Sequence, residues 1–281
     1  MLQNIGGFIS ASRLPNQVII AFTQFITGWI LLELPLENLL DYRFIALVLS
    51  TQMIAAAGYI INDYYDQKID MINRPSRVII GVKLTRRLAL VSHLILNFTG
   101  IFIGFWIDPL IGLIHVFSSF LLWAYSNQLR RLPLIGNLTI STLSGLTFLI
   151  VSIFFRQQST VVTIYALFAF TITLIREIIK DIEDVKGESA FGCQTIPVVW
   201  GIPGAKIAIY LVSLGGVGLL GIFLYSVRNL GLIYYFIFLG PFFLWFVYMI
   251  YKADTRNHFS MLHKACNLII LSGLFSIFIL L

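Results

Sequence analysis

Nine stretches of this chain are apolar all the way round and close to the length of a lipid bilayer, and no other property restricts the fold as strongly. They lie near residues 16–34, 44–62, 88–106, 109–125, 138–154, 161–179, 205–226, 231–251 and 265–281. A helical crossing needs roughly 20 apolar residues. Runs such as Val18 to Leu32, Phe44 to Ile61 and Ile207 to Leu224 lack the polar stripe that a water-facing helix carries. Only 11% of the residues are charged, against about 25% in a soluble domain, so lipid is the expected solvent for most of the surface. The fold class that follows is an all-α integral membrane protein of about nine transmembrane helices. Pro109 with Gly112 marks a tight return between the third and fourth spans, and Pro133 with Gly136 marks the approach to the fifth. No extramembrane segment is long enough for a core of its own, so residues 1–281 are expected to form one transmembrane domain.

Basic residues set the orientation, because Lys and Arg stay on the cytoplasmic side. With nine alternating spans and the N-terminus inside, 16 of the 19 Lys and Arg residues fall in cytoplasmic segments, leaving only Arg43, Arg156 and Arg228 outside. The net charge of +6 is then a matter of topology and phosphate chemistry, and no nucleic-acid partner is expected. Arg13 precedes a full-length apolar run with no small-residue cleavage site, so the first helix is expected to stay as an anchor in a bacterial or archaeal cell membrane. Cys193 and Cys266 are read as free thiols. The four His residues, at 93, 115, 258 and 263, show no zinc spacing.

Carboxylates gather in two short segments. The second span runs into Asn62-Asp63-Tyr64-Tyr65-Asp66-Gln67-Lys68-Ile69-Asp70, where Asp63, Asp66 and Asp70 have the spacing i, i+3, i+7. On a helix this spacing confines them to an arc of about 60°. The sixth span runs through Glu177 into Asp181, Asp184 and Glu188, which repeat it, although Gly187 is placed to unwind the last turn. Four spans separate the clusters, so both belong on the cytoplasmic side. Eight of the 13 acidic residues lie in these two segments. Packed like charges at a membrane boundary need a cation. Hard oxygen ligands in this number suit Mg²⁺, which commonly bridges one or two carboxylates to substrate phosphates. The plainer alternative is a solvated helix end paired with neighbouring bases, which two clusters of identical spacing make less attractive. Lys68, Arg74 and Arg77 after the first cluster, Arg130 and Arg131 after the fourth span, and Arg176, Lys180 and Lys186 around the second could grip phosphate oxygens. Topology alone would also put bases there.

At these residues the sequence resembles the UbiA superfamily of intramembrane prenyltransferases. Asn62, Asp63, Asp66 and Asp70 match its NDxxDxxxD motif, and Asn73-Arg74-Pro75-Ser76-Arg77 resembles the NRPxRP extension, with Val78 for the last Pro. Tyr125 to Arg131 resembles YSxxLKR, with Arg130 for Lys, and Lys180 to Glu188 resembles KDxxDxxGD, with Glu188 for the last Asp. Leu14-Pro15-Asn16 is similar to the family's entry into the first helix, where Asn16 would help shape the pocket. The resemblance implies a bundle around a central cavity, with Mg²⁺ and diphosphate between the Asp motifs and the isoprenoid tail in an apolar tunnel.

The chemistry implied is loss of diphosphate from an allylic carbon and capture of the cation by an acceptor nucleophile. Asp63, Asp66, Asp70, Asp181, Asp184 and Glu188 would be the metal set. Asn62 would orient the diphosphate or a metal-bound water, and Tyr125 would face the cation or hold the diphosphate. The partners are a prenyl diphosphate donor, a lipid-like or aromatic acceptor, and membrane lipids; nothing in the pattern specifies an oligomeric state. The run Arg176 to Gly187 is most similar to the branch that attaches a second geranylgeranyl group to geranylgeranylglyceryl phosphate in ether-lipid synthesis. An aromatic acceptor such as 4-hydroxybenzoate, a naphthoate or a chlorin stays open. A transporter would also bury carboxylates in a bundle, but near the midplane on broken helices.

Overall fold

A computed structural model describes residues 2–281, the side chains of residues 2–5 and Arg77 excepted. Its elements are helical. A short helix α1 (Leu2–Ala11) leads into α2 (Leu14–Ile26), which continues as a π turn over Thr27–Leu31; α3 (Leu36–Leu39) then connects to α4 (Tyr42–Asn73). There follow α5 (Arg86–Ile107), α6 (Pro109–Asn127), α7 (Ile135–Phe154), α8 (Thr160–Ala190), the short α9 (Ile196–Val199), α10 (Gly201–Val227), α11 (Leu230–Lys252) and α12 (Arg256–Ser276). Among the described residues, nine segments are long and apolar enough to cross a membrane, from Leu14–Leu31 to Arg256–Leu280.

Helix ends follow local chemistry. Asp41, Thr85, Asp108, Ser159, Asn229 and Thr255 each accept a backbone N–H of the following first turn, satisfying donors that a helix start leaves orphaned. The return between α5 and α6 is a single residue, Asp108, because Pro109 occupies the first helical position.

Two elements are longer than a bilayer requires. α4 has 32 residues and α8 has 31, so at about 1.5 Å per residue each exceeds the ~30 Å hydrocarbon thickness by several turns. Those surplus turns carry the carboxylate motifs. The apolar runs end near residues 62 and 179, and both helices continue through the acidic segments, as a helical reading of the carboxylate spacing requires. Gly187 does not unwind its turn, since α8 runs on to Ala190.

The chain divides into two compact units. One comprises Met1–Arg130 and Ile150–Gln158, the other Arg131–Leu149 and Ser159–Leu281. In the first, Ile80 and Leu84 of the α4–α5 connection fold back onto Ala11, Ile60 and Ala89, with Phe8 and Tyr64 alongside. Gln67 Nε2 donates to the Ile80 carbonyl at 3.0 Å and pins this loop. Polar side chains link helices inside the lipid-spanning part: Gln24 Nε2 donates to Thr51 Oγ1 at 3.1 Å, and Ser50 Oγ lies 2.8 Å from His115 Nε2. In the second unit, Ile178, Ile179 and Ile182 of α8 pack against Ile196, Ile209, Ile250, Phe259 and Leu262. Cys193 and Cys266 are both buried and form no disulfide with each other.

The outer surface is apolar. Leu214, Tyr225, Phe238 and Leu244 are each at least 70% exposed, as lipid-facing side chains are and as the surface of a soluble monomer is not.

Close approach of α7 and α8 depends on Gly145. A Cβ there would come within 2.9 Å of the Ala166 carbonyl oxygen, which is backbone and cannot swing aside. Gly145→Ala is expected to destabilise the protein by roughly 1–3 kcal/mol, whereas Gly218→Ala, with no atom within 4 Å of the added carbon, leaves stability unchanged or slightly raised. Thermal unfolding of both variants in one detergent checks this; equal behaviour would remove the packing argument.

Candidate functional site

Carboxylates sit at the wrong ends of α4 and α8. A helix carries roughly half a negative charge at its C-terminus, yet Asp63, Asp66 and Asp70 occupy the last turns of α4, and Asp181, Asp184 and Glu188 those of α8. Neither helix has a basic residue in its last turn. Asp66, Asp181, Asp184 and Glu188 are also buried, at 7% exposure or less. Such a placement opposes both the dipole and solvation, so other groups must hold these charges.

In the first unit arginines do so. Arg13 Nη2 contacts Asp63 Oδ1 at 2.7 Å. Arg13 precedes α2 in the left-handed region, with φ of 52°, a conformation uncommon for a residue other than Gly. Its guanidinium lies 4.9 Å from the Tyr59 ring, whose hydroxyl accepts from Asn16 Nδ2 at 3.4 Å. Arg130 forms an ion pair with Asp66 in which both side chains are buried. Beside them Asn62 is 8% exposed, and among the described residues its Nδ2 has no hydrogen-bond partner. An orphaned buried donor next to carboxylates is suited to an anionic oxygen.

In the second unit neutral donors appear. Asn137 Nδ2 donates to Asp181 Oδ2 at 2.7 Å, and Thr195 Oγ1 donates to Glu188 Oε2 at 2.7 Å. Arg176 and Lys180 lie 2.9 and 3.7 Å from Glu177, and the His263 ring lies 3.5 Å from Glu183.

The candidate residues from the sequence thus separate. Asn62, Asp63, Asp66, Asp70 and Arg130 share one unit with Asn16 and the buried Tyr125; Asp181, Asp184, Glu188 and Lys180 share the other. Arg130 and Arg131, adjacent in sequence, diverge. Arg130 is engaged by Asp66, whereas Arg131 is exposed and its carbonyl accepts from the Gln194 N–H at 2.8 Å. Lys68 is exposed and Arg74 half-buried, while the Arg77 side chain lies outside the described residues. Arg13, Asn137 and Thr195 are additions that sequence reasoning misses. In the sequence Arg13 reads only as a topological charge, and Asn137 lies 44 residues from the carboxylate it contacts.

Among the described residues, no three His, Cys, Asp or Glu side chains converge into a metal cage. Mg²⁺ retains several waters and takes one or two carboxylates with substrate phosphates completing the shell. The all-oxygen donor set of both helix ends is consistent with it.

The Arg130–Asp66 pair yields a test. Breaking a buried ion pair from one side costs about 3–5 kcal/mol, while neutralising both partners costs much less. Arg130→Gln is therefore expected to lower thermal stability in detergent far more than the double variant Arg130→Gln/Asp66→Asn. Equal losses would show that the pair is not desolvated.

Known proteins resemble this chain along most of its length. The model of the UbiA prenyltransferase family matches residues 21–269. Digeranylgeranylglyceryl phosphate synthase of Methanosphaera stadtmanae is 31% identical over 250 residues, covering 89% of both chains. The protein of that name from Methanosarcina barkeri is 36% identical over 223 residues, covering 77% of this chain and 75% of the relative. That from Methanothermobacter thermautotrophicus is 39% identical over 158 residues, a match that spans 56% of the relative's length. Among solved structures, a digeranylgeranylglyceryl phosphate synthase has a TM-score of 0.72 at 21% identity, covering 99% of this chain and 98% of that one. A UbiA homologue from Archaeoglobus fulgidus bound to GPP and Mg²⁺ has a TM-score of 0.69 at 14% identity, covering 96% and 99%; at such identities both show the fold. With its family model spanning most of the sequence and relatives above 30% identity over most of their length, this multi-pass membrane protein belongs to the UbiA prenyltransferase family.

Proposed function

We propose that this prenyltransferase moves a geranylgeranyl group from its diphosphate to the free glycerol hydroxyl of geranylgeranylglyceryl phosphate, with Mg²⁺ as cofactor, in ether-lipid synthesis. One observation carries the acceptor: relatives named digeranylgeranylglyceryl phosphate synthase recur at 31–40% identity, in the longest case across 89% of the chain. The buried carboxylates at two helix ends and the orphaned Asn62 amide support the use of a metal and a diphosphate.

Mg²⁺, when bound, neutralises the charge that grows on the departing diphosphate. Asp63, Asp66 and Asp70 of the first unit, and Asp181, Asp184 and Glu188 of the second, would each bind such ions, directly or through water. Asn62 offers its free N–H to a diphosphate oxygen, and Lys68, Arg74 and Lys180 add donors that strengthen as the leaving-group charge develops. Tyr125 presents a buried ring or hydroxyl to the reacting end of the donor, and Asn16 helps shape the pocket entrance. The bond from the allylic carbon to the diphosphate oxygen breaks, the acceptor hydroxyl oxygen bonds to that carbon, and its proton passes to the released diphosphate or to solvent. Exclusion of water by apolar surroundings protects the cation from quenching.

A glycerol-phosphate acceptor brings a second anion, which a phenol does not. Arg131, exposed just beyond α6, and Arg77 are suited to that phosphate, whereas the charge of Arg130 is committed to Asp66. Purified protein incubated with labelled prenyl diphosphates, geranylgeranylglyceryl phosphate and 4-hydroxybenzoate, followed by lipid mass spectrometry, is expected to give only the glycerol diether phosphate. Efficient prenylation of the aromatic acid, with none of the glycerol acceptor, would overturn the assignment.

The Lys and Arg distribution implies that the N-terminus and both acidic helix ends face the cytoplasm. Single cysteines at Gln67 and Lys186 are expected to react with a membrane-impermeant thiol reagent only in inside-out vesicles. Opposite sidedness would refute a shared reaction for the two carboxylate sets.

A further inference from the structure

α8 carries three basic side chains of its own, Arg176, Lys180 and Lys186, yet an amide and a hydroxyl from other segments donate to Asp181 and Glu188. Asn137 lies at the start of α7, 6% exposed, where its Nδ2–H reaches Asp181 Oδ2 at 2.7 Å. Its backbone carbonyl accepts from Ser141 Oγ at 2.6 Å. Thr195, 1% exposed and immediately before α9, gives its hydroxyl hydrogen to Glu188 Oε2 at 2.7 Å. Both donors come from outside α8, so each fixes a direction that the helix alone leaves to side-chain rotation.

A carboxylate has two oxygens. A donor on one of them locks the plane of the group and leaves the other oriented for a further partner. A neutral donor does this without bringing positive charge towards that partner, whereas a lysine or arginine in its place would repel a divalent ion. Outer partners of this kind around metal-binding carboxylates commonly change metal affinity 10–100-fold when removed.

We propose that Asn137 and Thr195 are positioning residues for divalent-metal binding: by hydrogen bonding Asp181 Oδ2 and Glu188 Oε2, they aim the opposite oxygens, Oδ1 and Oε1, at the ion. This rests on the metal role given above to Asp181 and Glu188. It adds that the geometry is set by two uncharged side chains outside the acidic motif. Because each acts through a carboxylate, removing either is expected to weaken the metal without altering recognition of the acceptor.

The test uses the full chain in detergent, with Mn²⁺ as the probe. Free Mn²⁺ is followed by electron paramagnetic resonance, both alone and with a non-reactive thiolodiphosphate donor. Wild type is expected to bind and Asp181→Asn to lose binding. Asn137→Ala and Thr195→Val should each weaken binding about 10–100-fold, and Thr195→Ser, which keeps the hydroxyl, should return close to wild type. In steady-state assays the Mg²⁺ concentration for half-maximal rate should rise in parallel, with the acceptor KM unchanged. Size-exclusion profiles establish that each variant is folded, and the Thr195→Val and Thr195→Ser pair decides the matter if Asn137→Ala is not. Wild-type affinity in folded Asn137→Ala and Thr195→Val, alongside loss in Asp181→Asn, would overturn the positioning role. So would Thr195→Ser being as weak as Thr195→Val. Unchanged binding in Asp181→Asn would instead overturn the metal reading itself.

Discussion

Negative charge held at the C-terminal ends of lipid-spanning helices is the constraint on which this molecule is organised. Each carboxylate there opposes the helix dipole, loses hydration, and lies near others of its own sign. Lipid offers no compensation. The protein meets the difficulty by extending α4 and α8 several turns beyond the apolar core and by bringing other segments to those extra turns. Much else follows: the loop that returns over Ile80 and Leu84 packs beside the end of α4, the left-handed Arg13 ahead of α2 reaches Asp63, and the short α9 starts just after Thr195, which reaches Glu188.

Those partners differ in kind. Asp63 and Asp66 meet guanidinium groups from Arg13 and Arg130, which come from points 50 and 64 residues away along the chain. Asp181 and Glu188 meet an amide and a hydroxyl. Guanidinium pairing stabilises a buried carboxylate strongly and lowers its remaining appetite for a cation, while a neutral hydrogen bond fixes its orientation and leaves its charge in place. Within α8, Arg176 and Lys180 turn to Glu177, and His263 turns to Glu183. Two bases of this helix therefore reach a carboxylate that precedes the acidic motif.

Several of these features are legible in the sequence. Apolar runs of bilayer length can only be lipid-embedded, so the helical class and the nine spans follow from period and length. The i, i+3, i+7 spacing places Asp63, Asp66 and Asp70 on one helical face because helix geometry is periodic. Helix ends are less legible: hydropathy falls at Asn62 and Ile179, but the backbone continues, since polar residues outside lipid are as compatible with a helix as apolar ones within it. Gly187 reads as a breaker, and α8 nevertheless carries it, because packing of Ile178, Ile179 and Ile182 against Ile196 and Phe259 outweighs roughly 1 kcal/mol of glycine propensity.

What the sequence determined by itself was local and periodic: the membrane as solvent, the stripe of carboxylates on each helix, and the motifs of a UbiA prenyltransferase. What only the tertiary structure decided was which side chain each carboxylate faces. Arg130 and Arg131 are neighbours in sequence with the same charge, yet one is buried on Asp66 and the other is exposed. Asn137 is one amide among several, and nothing in its local pattern points to Asp181. Pair contacts of this kind arise from the packing of helices far apart in sequence, where no periodicity carries information from one partner to the other.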